Sequence, residues 1–284
     1  MKNISFSVLL ALTCVIALVT SNAAAAPLYS NGFEVNTTDW NGAAVRVPSG
    51  TNGIPSSGGS FHAQVSGNSG AFTRWGGYNY GPGSVPTVFQ PYSTSLDIYL
   101  NVGGGWGNDT RFDFSSAISN AAGGYLQDFI FNGGFYNDSD GSPGSGTDRF
   151  IISSSNNSQP GSAYAKNPAR NPIAISATGW YTFEHVFSDN AGLLNVDMNI
   201  FDSSNALVGT WNFVGAPIGS VGGNRYGWFD FNQFSVLAFD NAQLNLAQAA
   251  AVPEPASMLA WGLIVGVGAV GYRLRKRQSL AGRS

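Results

Sequence analysis

The chain is 284 residues long, carries a net charge of −3 at pH 7 and has only 10% charged residues. Between Pro27 and Ala250, seven basic residues stand against fifteen acidic ones, which gives this segment a net charge of −8. Binding of nucleic acid needs the opposite charge balance, so the composition excludes nucleic acid as a partner. The 37 glycines and 13% aromatic residues favour strands and turns over helices.

The first 25 residues have the layout of a secretory signal peptide. Lys2 precedes an apolar run over residues 6–19, and the small residues Ala23 to Ala26 follow. We predict cleavage after Ala25, with a secretion translocon and a signal peptidase as the first partners of the chain. Cys14, the only cysteine, lies within the apolar run, so we expect the mature protein to contain no disulfide.

Residues 26–250 are predicted to form a single all-β domain, a β-sandwich exported from the cytoplasm. Apolar and polar side chains alternate in Ser95–Leu100, in Arg111–Phe114 and in Leu194–Ile200. Such period-two runs, bounded by turn residues, indicate strands with one buried face. Shorter runs predict further strands at residues 61–65, 129–131, 149–153, 180–187, 207–213, 227–231 and 235–246.

Two polar clusters predict successive hairpins in the second half of this domain. Residues 189–192 read Asp-Asn-Ala-Gly, and residues 202–205 read Asp-Ser-Ser-Asn. Asn and Gly tolerate the positive φ angles that tight turns require. We therefore expect three adjacent antiparallel strands between about Trp180 and Phe213.

Aromatic residues set among glycines are the candidate ligand-binding residues of the domain. They are Trp75, Tyr78, Tyr80 and Trp106. Glycine-rich sequence favours loops, and exposed rings there can stack on the apolar faces of sugars. The alternative is that these rings pack over the ends of the sandwich. The segment Arg225–Trp228, by contrast, is interpreted as strand core.

The sequence contains no pattern that indicates a catalytic site, so we do not expect an enzyme. A glycoside hydrolase needs a pair of carboxylates, and neither Glu34 nor Glu184 has a second acidic residue two positions away. No Gly-x-Ser-x-Gly motif lies between a strand and a helix. His185 alternates with Phe183 and Phe187, which favours a structural role for it. Activity on glycosides is the least favoured alternative.

The last 34 residues have three parts. Residues 251–257 form a proline-containing linker, because Pro253 and Pro255 disfavour helix in the residues before them. Residues 258–272 contain no charge and predict a short transmembrane helix. The tail 273–284 begins with a cationic cluster that the positive-inside rule places in the cytoplasm. The cluster consists of Arg273, Arg275, Lys276 and Arg277.

This order of features resembles the PEP-CTERM sorting signal of Gram-negative bacteria. The match comprises the triplet Pro253-Glu254-Pro255, a glycine-rich apolar segment and the Arg-rich end. The resemblance implies that an exosortase, a membrane protease, cleaves at or near the triplet. It also implies a path from the inner membrane, with the domain outside the cytoplasm, to the outer surface or extracellular matrix. An ordinary tail anchor is the alternative.

Three segments of the domain resemble strands of jelly-roll carbohydrate-binding, concanavalin-like and laminin-G-like proteins. They are Asn31–Glu34, Gly179–Phe187 and Phe239–Leu244. In several such modules a Glu near the first strand and an Asp in the last share a structural calcium ion. The resemblance therefore implies a calcium site at Glu34 and Asp240, whose carboxylates suit that ion. Two unrelated surface carboxylates are the alternative.

Two hypotheses of different class follow for the domain. In the first, it is a surface-displayed binding module for exopolysaccharide, which requires exposed aromatic rings and saturable binding of glycans. In the second, it is a structural component of the surface or matrix with no discrete ligand, which predicts buried aromatic rings and no binding.

Overall fold

The computed structural model describes residues 27–75, 89–138, 146–156 and 164–247. The chain divides into two compact units, Met1–Asn245 and Leu246–Ser284, and only Leu246 and Ala247 of the second are among the described residues. The strands are β1 (Tyr29–Asn31), β2 (Trp40–Gly42), β3 (Val45–Pro48), β4 (Phe61–Val65), β5 (Ala71–Thr73), β6 (Tyr92–Leu100), β7 (Thr110–Asn120), β8 (Tyr125–Tyr136), β9 (Arg149–Asn156), β10 (Ile173–Ile175), β11 (Gly179–Asn190), β12 (Leu193–Asp202), β13 (Leu207–Pro217), β14 (Val221–Asn232) and β15 (Leu237–Leu246).

The helical content of the described ranges consists of short 3₁₀ turns, at Thr51–Gly53, Pro168–Arg170 and Ile218–Ser220. None of the helices in these ranges has the length and apolar character needed to cross a membrane. The predicted signal peptide, linker, transmembrane helix and basic tail lie outside the described residues. The same holds for the sorting residues Pro253, Glu254, Pro255, Arg273, Arg275, Lys276 and Arg277.

The strands form two antiparallel sheets. The larger sheet has the order β13-β12-β11-β6-β15-β4-β3, and β1 also pairs with β15. The smaller sheet has the order β10-β9-β8-β7-β14-β5-β2. The last strand, β15, thus lies inside the larger sheet, where its first half pairs with β4 and its second half with β1.

Aromatic side chains fill the space between the two sheets. Phe183 on β11 lies edge-on to Phe131 on β8 and to Phe112 on β7, with ring centroids 5.1 and 6.3 Å apart. All three side chains are fully buried. Because β11 belongs to the larger sheet and β7 and β8 to the smaller one, these contacts join the sheets face to face. The prediction of an all-β sandwich is confirmed.

His185 lies in the same core and not at a surface site. Its side chain is fully buried, and its ring packs against Phe131 and Phe114 at 4.8 and 5.7 Å. The Nε2 atom lies 3.0 Å from the carbonyl oxygen of Phe129. The alternation with Phe183 and Phe187 therefore placed His185 on the buried face of its strand, as period-two geometry requires.

Both predicted hairpins are present. Asn190 pairs with Leu193, so Ala191 and Gly192 form a two-residue turn, and both have positive φ angles of 53° and 85°. The second turn is organised by Asp202, whose Oδ1 accepts hydrogen bonds from the backbone N–H groups of Ser204 and Ala206. Strands β11, β12 and β13 are consequently consecutive neighbours in the larger sheet.

Candidate functional site: the outer face of the smaller sheet

Aromatic side chains lie on the solvent side of β14. Gly227 and Phe229 face the core: Phe229 is fully buried, and a Cβ at Gly227 would lie 2.4 Å from the buried ring of Trp75. Since successive side chains of a strand alternate, Trp228 and Tyr226 face outward. Both are half-buried, and their ring centroids are 5.3 Å apart. The interpretation of Trp228 as strand core was wrong, and the alternation with Phe229 could have corrected it.

The neighbouring strands extend this surface on both sides. Trp228 pairs with Phe72 on β5, and the outward Phe231 pairs with Asp113 on β7. Phe72 and Phe231 remain 37% and 40% exposed. We call the four rings of Phe72, Tyr226, Trp228 and Phe231 the aromatic row. Partly exposed aromatic rings that sit side by side give a sheet surface an apolar strip that water contacts.

Small side chains continue the outer face next to the aromatic row. Ser115 pairs with Trp228, and Ala117 pairs with Tyr226, so small side chains face the two central rings. Two strands further on, Ser153 and Ser155 of β9 occupy the same face. These four residues are buried. These small side chains therefore contribute almost nothing to the accessible surface of this face, which the partly exposed rings beside them provide.

Hydrogen-bonding groups lie among these small residues. Asn132 donates from Nδ2 to Asp113 Oδ1 at 2.9 Å, and it accepts from the Ser155 hydroxyl at 2.6 Å. Tyr125, which is 43% exposed, donates from its hydroxyl to Asp128 Oδ2 at 3.0 Å. Burial and the nearby Asp128 carboxylate both raise the pKa of Tyr125, so its hydroxyl stays protonated and can donate. The carboxylates are therefore held in fixed positions by neighbouring donors.

Two groups on this face have polar atoms without a hydrogen-bond partner among the described residues. These atoms are the indole N–H of Trp228 and the hydroxyl of Ser153. A buried polar atom that stays unpaired costs free energy, so each of these two atoms destabilises the fold unless an ordered water pairs with it. Both lie on the face that carries the aromatic row.

Cationic side chains lie at the margins of this face. Arg111, two residues from Asp113 on β7, donates from Nε to Asp109 Oδ1 at 2.6 Å. At the far end of β14, Arg225 donates to the carbonyl oxygen of Gly123 at 2.9 Å. The centre of the face, between these two arginines, is therefore lined by the aromatic row, small residues, amides and carboxylates.

The predicted aromatic candidates lie elsewhere. Trp75 is fully buried and packs edge-on against Tyr29, so it cannot serve as the exposed platform that its glycine-rich context predicted. Its ring occupies the space that Gly227 leaves by having no side chain. Trp106 is half-buried, donates from Nε1 to the carbonyl oxygen of Asn101 and lies 5.2 Å from Phe234. Tyr78 and Tyr80 lie outside the described residues.

The outer face of the larger sheet has a different chemistry. Asn199 donates to Glu184 at 3.1 Å and accepts from Thr210 at 2.8 Å, which links three strands through polar side chains. Trp180 and Tyr99 lie side by side at one end of this face, 5.3 Å apart. The indole N–H of Trp180 is already used, since it donates to the carbonyl oxygen of Pro55 at 2.8 Å.

Glu34 and Asp240, the predicted calcium ligands, both bind the loop that precedes β4. Glu34 accepts hydrogen bonds from the backbone N–H groups of Ser60 and Phe61. Asp240 accepts from those of Ser57 and Gly58. Within the described ranges, no three His, Cys, Asp or Glu side chains come together as a metal-binding group.

Asp240 is fully buried beside a second carboxylate, that of Asp97. Burial raises the pKa of Asp240 to about 7; three backbone N–H groups oppose this shift, and the charge of Asp97 adds to it. Asp97 itself accepts hydrogen bonds from the hydroxyls of Ser57 and Thr182 and from the side-chain amide of Asn241. This carboxylate pair is thus surrounded by donors from the chain itself.

No protein-family model matches the chain, and no curated protein does. Among solved structures, the Ca²⁺-bound exoplasmic/lumenal domain of VIP36 is similar over 79% of this chain and 92% of its own, with 9% identity and a TM-score of 0.41. A legume lectin-like domain from Entamoeba histolytica is similar over 75% and 91%, with 6% identity and a TM-score of 0.37. The CBM2 module of the evolved Dit of Lactobacillus casei BL23 phage J-1 is similar over 78% and 97%, with 8% identity and a TM-score of 0.38. Similarities this weak assign neither a ligand nor a site.

Proposed function

We propose that the chain is a carbohydrate-binding module that holds exopolysaccharide on the outer face of its smaller sheet. The observation that carries this proposal is the partly exposed aromatic row on the same face as the hydrogen-bonded carboxylates of Asp113 and Asp128. Pyranose rings have apolar faces that stack on aromatic rings, and their hydroxyls need partners such as amides and carboxylates. Both kinds of group lie together on this face.

The hydrogen-bonding groups support the proposal because they are already oriented. Asn132 and Tyr125 hold Asp113 and Asp128 through hydrogen bonds of 2.9 and 3.0 Å. A ligand that meets groups in fixed positions loses less affinity to the ordering of side chains.

The proposal is one of binding and not of catalysis. In the register of β7 and β8, Asp113 pairs with Asn132 and Asp128 pairs with Ala117, so the two acidic residues are four positions apart along neighbouring strands. At the usual rise and spacing of strands, their backbones are roughly 14 Å apart. Hydrolysis of glycosides needs carboxyl groups about 5 to 9.5 Å apart. These two carboxylates are better suited to contact different sugar units.

Replacement of Trp228 tests the proposal. We expect Trp228→Ala to weaken saturable binding of the host's exopolysaccharide at least about tenfold, since central aromatic residues dominate such interfaces. Trp180→Ala on the opposite sheet is the matched control and should leave the affinity unchanged. Isothermal titration of the purified protein, after a glycan array has identified a soluble ligand, measures both.

Two results would contradict the proposal. If Trp228→Ala binds as tightly as the wild type, the aromatic row is not the site. If the folded wild-type protein binds no glycan at all, the alternative of a structural surface or matrix component is correct. Far-ultraviolet circular dichroism and cooperative unfolding establish that each variant is folded.

We also propose that the chain reaches the cell surface through the PEP-CTERM route. The resemblance of residues 252–277 supports this, with a signal peptidase, an exosortase and the inner membrane as successive partners. Glu254→Ala, made in the host, should leave the uncleaved precursor in the membrane fraction and deplete the extracellular form. Ser257→Ala, just beyond the triplet, is the control. Normal release of the Glu254→Ala protein would refute the proposed role of the triplet.

A further inference from the structure

Glu34 and Asp240, which were predicted to bind calcium, can share an ion only if their carboxylate oxygens are turned toward a common point. Calcium takes six to eight oxygen ligands and needs carboxylate oxygens turned toward it. An N–H group that donates to such an oxygen occupies one of its lone-pair directions with a positive hydrogen. Oxygens of Glu34 and Asp240 that accept hydrogen bonds from N–H groups are therefore not available to bind calcium.

Both oxygens of Glu34 face the loop before β4. Oε1 accepts from Ser60 N at 2.9 Å and from Phe61 N at 3.0 Å, and Oε2 lies 3.1 Å from Ser60 N. The loop also approaches the carboxylate closely at Gly59, which has a φ of 61°. A Cβ built there would lie 2.3 Å from Oε1. The backbone of the loop thus lies against both carboxylate oxygens of Glu34, a residue that is otherwise exposed to solvent.

Both oxygens of Asp240 are used in the same way. Oδ2 accepts from Ser57 N at 3.0 Å and from Gly58 N at 3.3 Å, while Oδ1 accepts from Asn241 N at 2.8 Å. Asn241 has a φ of 47°, and it directs its own side-chain amide to Asp97. The carboxylate is fully buried, so its oxygens face the amides of the chain and not solvent.

We infer that Glu34 and Asp240 do not share a calcium ion but clamp the loop of residues 57–61 through its backbone amides. Four amides of one short loop supply the positive partners that a cation would otherwise provide. The clamp fixes the loop at the point where β15 changes its partner from β4 to β1. This inference is independent of the proposed binding of polysaccharide.

Thermal unfolding of the purified protein tests the clamp. A cation that binds only the native state raises Tm by roughly 5 to 10 °C at a hundredfold excess over its Kd for a domain of this size. We expect no such shift between EDTA and millimolar calcium. We also expect Glu34→Gln and Asp240→Asn to lower Tm by several degrees, equally in both conditions, because each replaces one accepting oxygen with an NH₂ group that faces a backbone N–H. Glu184→Gln, on the outer face of the larger sheet, is the matched control.

The inference is overturned if calcium raises the Tm of the wild type and the rise is lost in Glu34→Gln or Asp240→Asn. A calcium-dependent rise that both variants keep would support it, since the ion would then lie elsewhere. Should either variant fail to fold, equilibrium dialysis of the wild type against labelled calcium decides the matter. Absence of bound calcium supports the clamp. If the wild type binds one calcium ion per chain, loss of that ion in Glu34→Asp but not in Glu184→Gln overturns the clamp, and its retention in both variants supports it.

Discussion

The imidazole of His185 is buried in a core that consists largely of phenylalanine rings. Burial lowers its pKa to about 3, although the hydrogen bond with the carbonyl of Phe129 partly opposes the shift. The side chain is therefore neutral at pH values well above 3. Its Nδ1 atom has no hydrogen-bond partner among the described residues. A neutral histidine in this position fills volume and contributes one polar contact between the two sheets.

The sign of the resulting pH dependence follows from the two pKa values of His185. Unfolded, the imidazole binds a proton below its ordinary pKa of 6.5, whereas folded it binds one only near pH 3. Unfolding is therefore favoured as the pH falls from about 6.5 toward 3, by a total on the order of 4 kcal/mol. Asp240 has the opposite sign, because its raised pKa makes it contribute stability at low pH that is lost as the pH rises toward 7.

Comparison of the wild type with His185→Phe separates the two contributions. We expect the difference in free energy of unfolding between the two proteins to change steadily between pH 6.5 and pH 4, with the wild type losing more. Urea unfolding at a series of pH values measures this difference. A difference that stays constant with pH would mean that His185 is not a buried neutral imidazole.

At the scale of single elements, the β11–β12 hairpin contains a residue that does not suit its turn. Ala191 and Gly192 both adopt positive φ, which is the geometry of the two-residue turns that favour Asn-Gly. In this conformation the Cβ of alanine lies too close to the backbone, and this contact destabilises the turn. The strands on either side are long and well paired, so they hold the alanine in a conformation that it disfavours.

Ala191→Asn should therefore stabilise the protein by about 0.5 to 1 kcal/mol. Gly192→Ala should destabilise it by a similar amount, and this effect would come from the backbone alone, because no atom lies within 4 Å of a Cβ built at Gly192. The midpoint of urea unfolding, with an unchanged slope, measures both. A destabilised Ala191→Asn protein would show that the turn differs from the one described.

Long strands could be predicted from the sequence, whereas short ones could not. The alternation of β6, β11 and β12 gives enough repeats to indicate both the strand and its buried face, and the bounds predicted for β4 agree with those observed. Strands β3, β5 and β10 have only three or four residues, too few for a period to be recognised. These short segments form strands because each pairs with the edge of a longer strand, namely β4, β14 or β9.

Only part of the candidate site could be predicted from the sequence. Trp228 could have been assigned to the outer face from its neighbour Phe229, but the row that it forms with Phe72 depends on the pairing of β14 with β5. The burial of Trp75 depends on Gly227, a residue distant in sequence that offers its ring a space. Glu34 and Asp240 accept hydrogen bonds from backbone amides of residues 57–61, and such amides carry no side-chain signal in the sequence.

At the scale of the whole molecule, the two sheets share one core but present different outer faces. The smaller sheet exposes the aromatic row, while the larger sheet exposes polar side chains that hydrogen-bond with one another. Aromatic pairs such as Phe131 and Phe183 connect the sheets without any cysteine in the described part of the chain. Stability therefore depends on burial of apolar surface and on strand pairing.

The position of β15 sets the order in which the larger sheet can be completed. Its neighbours β6, β4 and β1 all come from the first third or so of the domain, but β15 itself is the last of the described strands to be synthesised. Until Leu237 has emerged, β6 and β4 each have an open edge where β15 will pair, and contacts so distant in sequence form slowly. The larger sheet of a nascent chain thus stays incomplete until β15 has been synthesised and can pair with strands that were made much earlier.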